Sequence, residues 1–410
     1  MAQAPKPHLL VLASTYPRWL GDHEPGFVHE LAKRLTGRFH VTVLCPHAKG
    51  AALAETMDDV EVIRYRYAPA ALETLVNDGG IVTNLKLHRW KLLLVPGFVL
   101  MQVWWVWRLC RSERVEVIHA HWLVPQGWIA ALQRLLPGRK VPFVVTSHGA
   151  DLFALKGRAL NRIKRFVLDR ASRATVVSGA MRDTIRDIGG DAGKIVVQPM
   201  GVDMQDRFVP WPMTPRSRHE LLFVGRLVEK KGLRHLLDAL PLVLHEFPQA
   251  MLTVAGFGPD EEALKTHVRQ LGLCDCVRFI GPVSQDELPR LYQHAALFIA
   301  PFVRARSGDE EGLGLVLVEA AACDCPVLAG RVPALKQVLG EGFADMTVDA
   351  TRPELLAAGV CAVLRDPAWA QARATELRRV LENQFDWAVV AGVYGHVLMS
   401  ASIEGTNTDA

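Results

Sequence analysis

Two glutamates, Glu311 and Glu319, bracket the stretch EGLGLVLVE. Gly312 and Gly314 follow the first, and the run Leu315-Val316-Leu317-Val318 leads to the second. The glycines suit a turn or a close backbone approach. A helix over the whole stretch would separate the two carboxylates by about 12 Å along its axis. One carboxylate at a helix mouth and another some two turns in would grip a long, diphosphate-like ligand at two points. The same residues would also make a solvated acidic loop and a helix whose glutamate faces water.

A second pair is cationic. In FVGRLVEKKGL (223–233), Arg226 closes a strand and Lys231 precedes Gly232, with a helix to follow. A planar guanidinium and a compact ammonium at a strand-to-helix turn can straddle a diphosphate; a solvated basic loop is the plainer alternative. A third group is made of histidines. VVTSHGADLF (144–153) leaves His148 at a strand's carboxyl end, followed by Gly149 and Asp151. VIHAHW (117–122) adds His119 and His121, which strand alternation puts on one face. Zinc would need a third ligand, and none is evident in the sequence.

These residues need elements to hold them. Apolar, β-branched runs at 8–15, 40–46, 60–64, 115–121, 143–148, 174–179 and 194–203 read as strands, with helical stretches such as 27–37 between them. The proline-dotted 204–220 reads as a linker. The pattern then restarts at 221–226, 250–258, 277–283, 296–302 and 326–330. Strands alternating with helices predict parallel sheets covered on both faces. Such sheets bind ligands outside the carboxyl ends of their strands. The expected organisation is an α/β protein of two Rossmann-like domains facing across a cleft. Residues 1–203 form the first and 221–385 the second, and an apolar helix in 386–410 crosses back to the first.

Composition narrows the classes. The chain has 410 residues, 50% of them hydrophobic, and a formal net charge of +4, which does not point to nucleic acid. Seven cysteines, without the spacing of a small secreted domain, predict reduced thiols and a cytoplasmic protein. Cys274/Cys276 and Cys323/Cys325 lack zinc-ribbon spacing and read as small buried residues. The first apolar run is short and reads as a strand, not a signal peptide. Leu92–Trp107 is strongly apolar but contains Pro96 and Gln102, with Lys86, His88, Arg89 and Lys91 upstream. It is shorter than the roughly 20 residues of a spanning helix. It reads as a buried helix or one resting at a membrane surface. No G-x-G-x-x-G follows the first strand, and the look-alike at 256–261 has Glu261 in the third glycine's place. No P-loop and no serine elbow occur, which disfavours dinucleotide oxidoreductases, P-loop ATPases and serine hydrolases.

Taken in order, HGAD (148–151), MGVD (200–203), GRLVEKKG (225–232), GFGP (256–259), FIGPV (279–283) and EGLGLVLVE (311–319) make the chain resemble the retaining nucleotide-sugar glycosyltransferases of family 4. The resemblance covers nearly the whole chain and implies the two-domain GT-B fold. It implies that Glu319 holds the donor's ribose hydroxyls and that Glu311 lies near the transferred sugar. Backbone N–H groups of Gly312, Leu313, Gly314, Leu315 and Val316 would meet the diphosphate at a helix N-terminus. Arg226 and Lys231 would neutralise it, and Gly256 and Val283 would border the donor. His148 would sit by sugar and acceptor, with Gly21, Asp22, His121 and Asp151 on the acceptor side. Many family members carry a Gly-Gly pair after the first strand; this chain has Gly21, then Asp22, His23 and Glu24. The family's usual front-face substitution needs neither cofactor nor metal. The implied partners are a nucleotide sugar and a saccharide acceptor, lipid-linked at the inner face of a membrane, with peripheral contact there and no nucleic acid. A sugar-nucleotide epimerase of the same fold and a silent nucleotide-sugar binding protein stay open as alternatives.

Overall fold

The computed structural model describes residues 5–22, 24, 26–77, 80–153, 155–211 and 216–408. The chain forms two compact units, residues 1–200 with 390–410, and residues 201–389.

The first unit is built on an eight-stranded sheet. Its strands are β1 (His8–Leu12), β2 (His40–Pro46), β3 (Ala54–Met57), β4 (Val60–Tyr65), β5 (Val115–His121), β6 (Phe143–Ser147), β7 (Arg173–Val176) and β8 (Ile195–Val197). The order is β3-β4-β2-β1-β5-β6-β7-β8, parallel except for the antiparallel edge pair β3–β4. The central strands are apolar on both faces because helices cover both, as in β1 (HLLVL), whose last four residues are buried. From Val390 onward the last helix (Trp387–Thr408) belongs to this unit. There Tyr394 is fully buried, and its hydroxyl donates to the Gln198 carbonyl at 3.1 Å.

The second unit carries β9 (Glu220–Val224), β10 (Met251–Ala255), β11 (Val277–Gly281), β12 (Leu297–Ala300), β13 (Val327–Gly330) and β14 (Thr347–Val348). They form one sheet in the order β11-β10-β9-β12-β13-β14, parallel throughout. In both sheets the strand order reverses beside the first strand of the unit, at β1/β5 and at β9/β12. Reversal opens a crevice at the strands' carboxyl ends, because successive helices pass to opposite faces.

Most expected strands are present, and several end sooner. Ala13 and Ser14 are buried but lie beyond β1. The edge strand β3 and the two-residue β14 have no apolar run to announce them. The described part of the expected linker packs into the second unit. Met204 and Phe208 are buried there, and Arg216 donates to the carbonyls of Tyr292, Ala295, Cys323 and Asp324. Residues 212–215 of it lie outside the described residues. All seven cysteines are free; Cys323 and Cys325 are buried as expected, but Cys274 is exposed and Cys276 half-buried.

The apolar segment is a short 3₁₀ turn (Arg89–Leu94) running into the helix Val95–Ser112, together long and apolar enough to cross a membrane. One stripe of that helix (Phe98, Gln102, Val106, Leu109, Cys110) is buried in the first unit. The buried stripe commits the helix to the fold. Leu100 and Trp104 of the helix and Leu93 of the turn before it are exposed by 67%, 42% and 81%.

The turn after β9 depends on Gly232, whose φ is +72° and where a Cβ would stand 1.7 Å from the Pro301 carbonyl oxygen. An L side chain there meets both a disfavoured backbone region and fixed backbone. Gly232→Ala is expected to lower unfolding free energy by about 1–3 kcal/mol, measured by denaturant titration. An unchanged midpoint would show that the loops move apart without cost.

Candidate functional site

In the second unit the site begins where β9 ends. Its last residue is Val224; Arg226 is exposed, and Glu229–Lys231 form one 3₁₀ turn closed by the left-handed Gly232. The helix Leu233–Glu246 follows directly. The long loop after β12 runs against this turn. Val303 donates its N–H to the Lys230 carbonyl at 3.0 Å. The Lys230 ammonium in turn lies 3.3 Å from Asp309 and donates to the Glu310 carbonyl at 3.1 Å. Lys231 Nζ sits 2.8 Å from Glu311 Oε2 and 4.5 Å above the Phe302 ring. The two charged side chains are only 13% and 14% exposed. Burial pushes the Glu311 carboxyl up. The charges of Lys231 and Lys230, with bonds from Lys231 and the Leu313 N–H, outweigh it and bring the group down to about 2. Glu311 is therefore a carboxylate at any ordinary pH.

The helix that Glu311 precedes starts later than expected. It spans Leu315–Ala322, with Gly314 left-handed at its N-cap (φ +83°). A Cβ on Gly314 would meet the rings and methyls of Phe302 and Leu335 at 2.9 and 3.0 Å. Glu311 therefore lies in the loop, and Glu319 stands one turn in rather than two. The first turn leaves backbone N–H groups pointing out of the helix start, a fitting seat for an anion. At the other end Arg216 donates to the carbonyls of Cys323 and Asp324 at 3.2 and 3.0 Å, as a cation should at a C-terminus.

Glu319 accepts a hydrogen bond from the buried Tyr292 hydroxyl at 3.1 Å. Burial raises its carboxyl to about 7, against the Tyr292 bond and the charges of Lys231 and Arg207. The two glutamates are thus shifted in opposite directions from the ordinary carboxyl value, one down and one up. Tyr292, Phe302 and Lys230 were not expected at this site: Tyr292 sits in LPRLYQH with no motif around it, and only the fold brings it to Glu319.

The neighbouring strand ends are stitched by backbone. Gly225 N–H donates to the Ala255 carbonyl at 3.0 Å, and Gly256 N–H to the Gly281 carbonyl at 2.7 Å. A Cβ on Gly256 would stand 1.9 Å from the Gly225 oxygen, so only glycine allows this approach. Val283, two residues past β11, is half-buried.

In the first unit the histidines of β5 and the residue after β6 meet. His121 Nδ1 is 2.9 Å from His148 Nε2. His119 Nε2 is 2.7 Å from the Thr146 hydroxyl, and its ring centroid is 4.2 Å from that of His121. Phe27 and Trp122 flank His148, with ring centroids at 4.8 and 5.1 Å. Trp122 is held at φ +74°, a region few non-glycine residues adopt. Burial lowers His119 to about 3; burial and then the His119 charge lower His148 to about 3. His121 falls well below its usual range through burial and the charges of His119 and His148. All three imidazoles are neutral at pH 7.

His148 is half-buried, whereas His121 is 1% exposed and stands behind it. Asp151 is buried too. It accepts from Leu123 N–H at 2.7 Å and from the Ser147 hydroxyl at 2.8 Å, and burial raises its carboxyl in spite of those bonds. Asp22 is likewise engaged: Arg18 donates to it through its backbone N–H at 2.9 Å and its guanidinium at 2.8 and 2.6 Å. Gly21 beside it is exposed, with φ +81°. His23 lies outside the described residues. Among the described residues no three His, Cys, Asp or Glu side chains are grouped to hold a metal.

Residues 27–201 match the family described as "Glycosyl transferase 4-like domain", and residues 213–384 match "Glycosyl transferases group 1". The chain is 31% identical over 304 residues to the glycogen synthase of Mycobacterium tuberculosis, across 71% of this chain and 70% of that protein. It is 29% identical over 291 residues to the GDP-mannose-dependent alpha-(1-6)-phosphatidylinositol monomannoside mannosyltransferase of Mycolicibacterium smegmatis, across 68% of this chain and 75% of that protein. Among solved structures it resembles sucrose-phosphate synthase from Thermosynechococcus elongatus, with TM-score 0.78, 20% identity, and 96% and 99% of the two chains covered. It also resembles Anabaena HepE in complex with UDP and glucose, with TM-score 0.71, 18% identity, and 96% and 99% covered. Both are GT-B structures.

The raised Glu319 carboxyl sets a pH dependence. The folded chain keeps this proton up to about 7, whereas the ordinary value is 4.5. Between those values the folded state binds more protons, so the stability is full below the lower value and lost as pH rises through the upper. Glu319→Gln, permanently neutral, should remove that loss. Denaturant unfolding at pH 5 and pH 8 is expected to show wild type losing about 1–3 kcal/mol more than the variant. Equal losses would mean that Glu319 ionises freely.

Proposed function

The chain belongs to the family-4 nucleotide-sugar glycosyltransferases, enzymes of GT-B fold, and on that premise we propose that it transfers a sugar, with retention, from a UDP- or GDP-sugar to a hydroxyl of a lipid-linked saccharide. The observation that carries this reading is one meeting point in the second unit. Lys231 from the turn after β9, Glu311 from the loop after β12 and the start of the helix Leu315–Ala322 converge there. The chemistry of that set suits a nucleotide diphosphate. Helix N–H groups and Lys231 take the phosphates, the Glu319 carboxylate takes a diol, and the ionised Glu311 lies beside the sugar.

In such a transfer, negative charge grows on the diphosphate as the sugar departs. Cations fixed beside it stabilise the transition state more than the ground state. Lys231 is held for this by the Glu311 carboxylate and the Phe302 face; Arg226 supplies a second charge from the exposed side of the turn. In this reading the leaving phosphate takes the acceptor's proton, no metal is needed, and His148 contacts sugar and acceptor. Transfer of labelled UDP- and GDP-sugars, with the product anomer read by NMR, tests the reaction. Epimerised donor, or binding without transfer, would overturn it.

The acceptor side of the proposal draws support from the first unit's surface. Leu93, Leu100 and Trp104 are exposed, as are Leu87 and Trp90 and the basic or polar Lys86, His88 and Arg89 next to these two in the chain. Apolar and aromatic side chains flanked by cations suit an anionic lipid surface. The relative from Mycolicibacterium smegmatis is itself named for a phosphatidylinositol acceptor. We place the enzyme in the cytoplasm, peripheral to the membrane's inner face.

Two outcomes are expected. Arg226→Ala and Lys231→Ala should each lower kcat by about 10²–10³-fold. Lys231→Ala should also lower Tm, because it strands the largely buried Glu311 charge. If both retain more than about a tenth of wild-type kcat, their role is refuted. In flotation with anionic vesicles, wild type should bind and be released by carbonate. Leu93→Glu with Leu100→Glu should abolish binding while leaving the fold intact, since both side chains are exposed. Equal flotation of the variant would remove this surface from the proposal.

A further inference from the structure

We propose that His121 is a positioning residue that fixes the tautomer of His148: its Nδ1–H donates to His148 Nε2, so His148 carries its hydrogen on Nδ1 and meets its ligand as a hydrogen-bond donor. The two rings are inclined by 7° with centroids 5.2 Å apart, and the facing nitrogens are 2.9 Å apart. That centroid distance equals the N···N distance plus the two ring radii. The rings therefore lie edge to edge in one plane, the best geometry for N–H···N.

A neutral imidazole has one N–H and one bare nitrogen. Either His121 donates, leaving its Nε2 bare, or His148 donates, forcing the His121 hydrogen onto Nε2. His121 Nε2 is buried and has no partner among the described residues. An orphaned N–H in that place is the worse outcome, since buried donors without acceptors are rarer than bare acceptors. A doubly protonated His121 is disfavoured by burial and by the neighbouring histidines.

His119 obeys the same rule. Its Nδ1 is the buried atom without a partner, so its Nε2–H donates to Thr146 at 2.7 Å. The Thr146 hydroxyl is then free to donate to Thr175 Oγ1 at 2.5 Å. The donors of the whole cluster run outward from buried imidazoles. The consequence for His148 is specific. Its Nε2 lone pair is occupied, so it does not accept a proton there, and its remaining polar atom is an N–H suited to a sugar or phosphate oxygen.

The test has two arms. In histidine-¹⁵N-labelled wild-type protein near neutral pH, long-range ¹H–¹⁵N spectra should show a pyrrole-type Nδ1 and a pyridine-type Nε2 for His148. They should show a pyrrole-type Nδ1 for His121. The reverse pattern for either residue overturns the proposal. The second arm rests on the transfer reaction proposed above. His121→Asn places an amide N–H where Nδ1 stood and should keep most of kcat/KM. His121→Leu should lose about tenfold or more, the worth of one hydrogen bond. Equal activity of the two variants at matched Tm overturns the positioning role. If neither variant folds, or if no transfer is found at all, the wild-type spectrum still decides the tautomer.

Discussion

The loops at the strand ends of the second unit depend on one ion pair. Lys231 and Glu311 come from loops that follow adjacent strands, and their 2.8 Å contact joins the turn after β9 to the loop after β12. Each charge is largely out of water, so each requires the other. The surrounding contacts act to keep them together. Val303 bonds to the Lys230 backbone, Lys230 holds Asp309 and the Glu310 carbonyl, and Phe302 lies under the Lys231 ammonium. The pair also orients the helix start, because Glu311 takes the Leu313 N–H just before Gly314 turns the chain into helix. A ligand anion at that helix start would meet an ammonium that already has a fixed direction. Preorganisation of this kind avoids reorganising the site during reaction.

Two carboxyls eight positions apart behave oppositely because of their neighbours. Burial pushes both up; two ammonium groups overcome it at Glu311 and hold it at about 2, whereas the Tyr292 bond and more distant charges do not at Glu319, which rises to about 7. The first is a permanent anion that balances Lys231. The second holds its proton easily until something offers it donors. A diol supplies two O–H donors, which favour the charged form. In the proposed reaction the Glu319 proton would then be released as the nucleotide binds, while Glu311 would not change. Separated protonation states of paired carboxyls are a frequent mark of functional sites.

Much of this was legible in the sequence. Strands β2 and β5 coincide with their apolar runs, HVTVLCP and VEVIHAH. The doubling of the α/β pattern and the order of the motifs pointed to the GT-B fold that the related structures share. What escaped has identifiable causes. Apolar periodicity over 311–319 suggested helix from the first glutamate, but a left-handed Gly314 delays it to Leu315. Side-chain partners were less visible still. Nothing near Tyr292 signals that it will touch Glu319, 27 residues on, because packing of the helix Leu288–His294 against the helix Leu315–Ala322 decides that contact. Asp22 and Asp151 have carboxylates that look poised for a ligand, yet Arg18 and the Leu123 N–H occupy them. Motif reading finds chemical types; it does not show which of them the fold has already satisfied.

The two units hold their functional groups by different physics. In the second, full charges are steered by opposite charges, and Coulomb attraction sets position. In the first, burial strips the histidines of charge, so only hydrogen-bond direction remains to orient them. Direction is then settled by which atoms are left without partners. His121 and His119 each keep one bare nitrogen in the interior. That arrangement costs less than an orphaned N–H, and it turns the other ring nitrogen toward a neighbour. The assignment suits the division of labour in a transfer whose leaving group takes the acceptor's proton. In that proposed reaction the full charges would serve the diphosphate, and a neutral imidazole N–H would suit a hydroxyl, to which it donates without bringing a further charge.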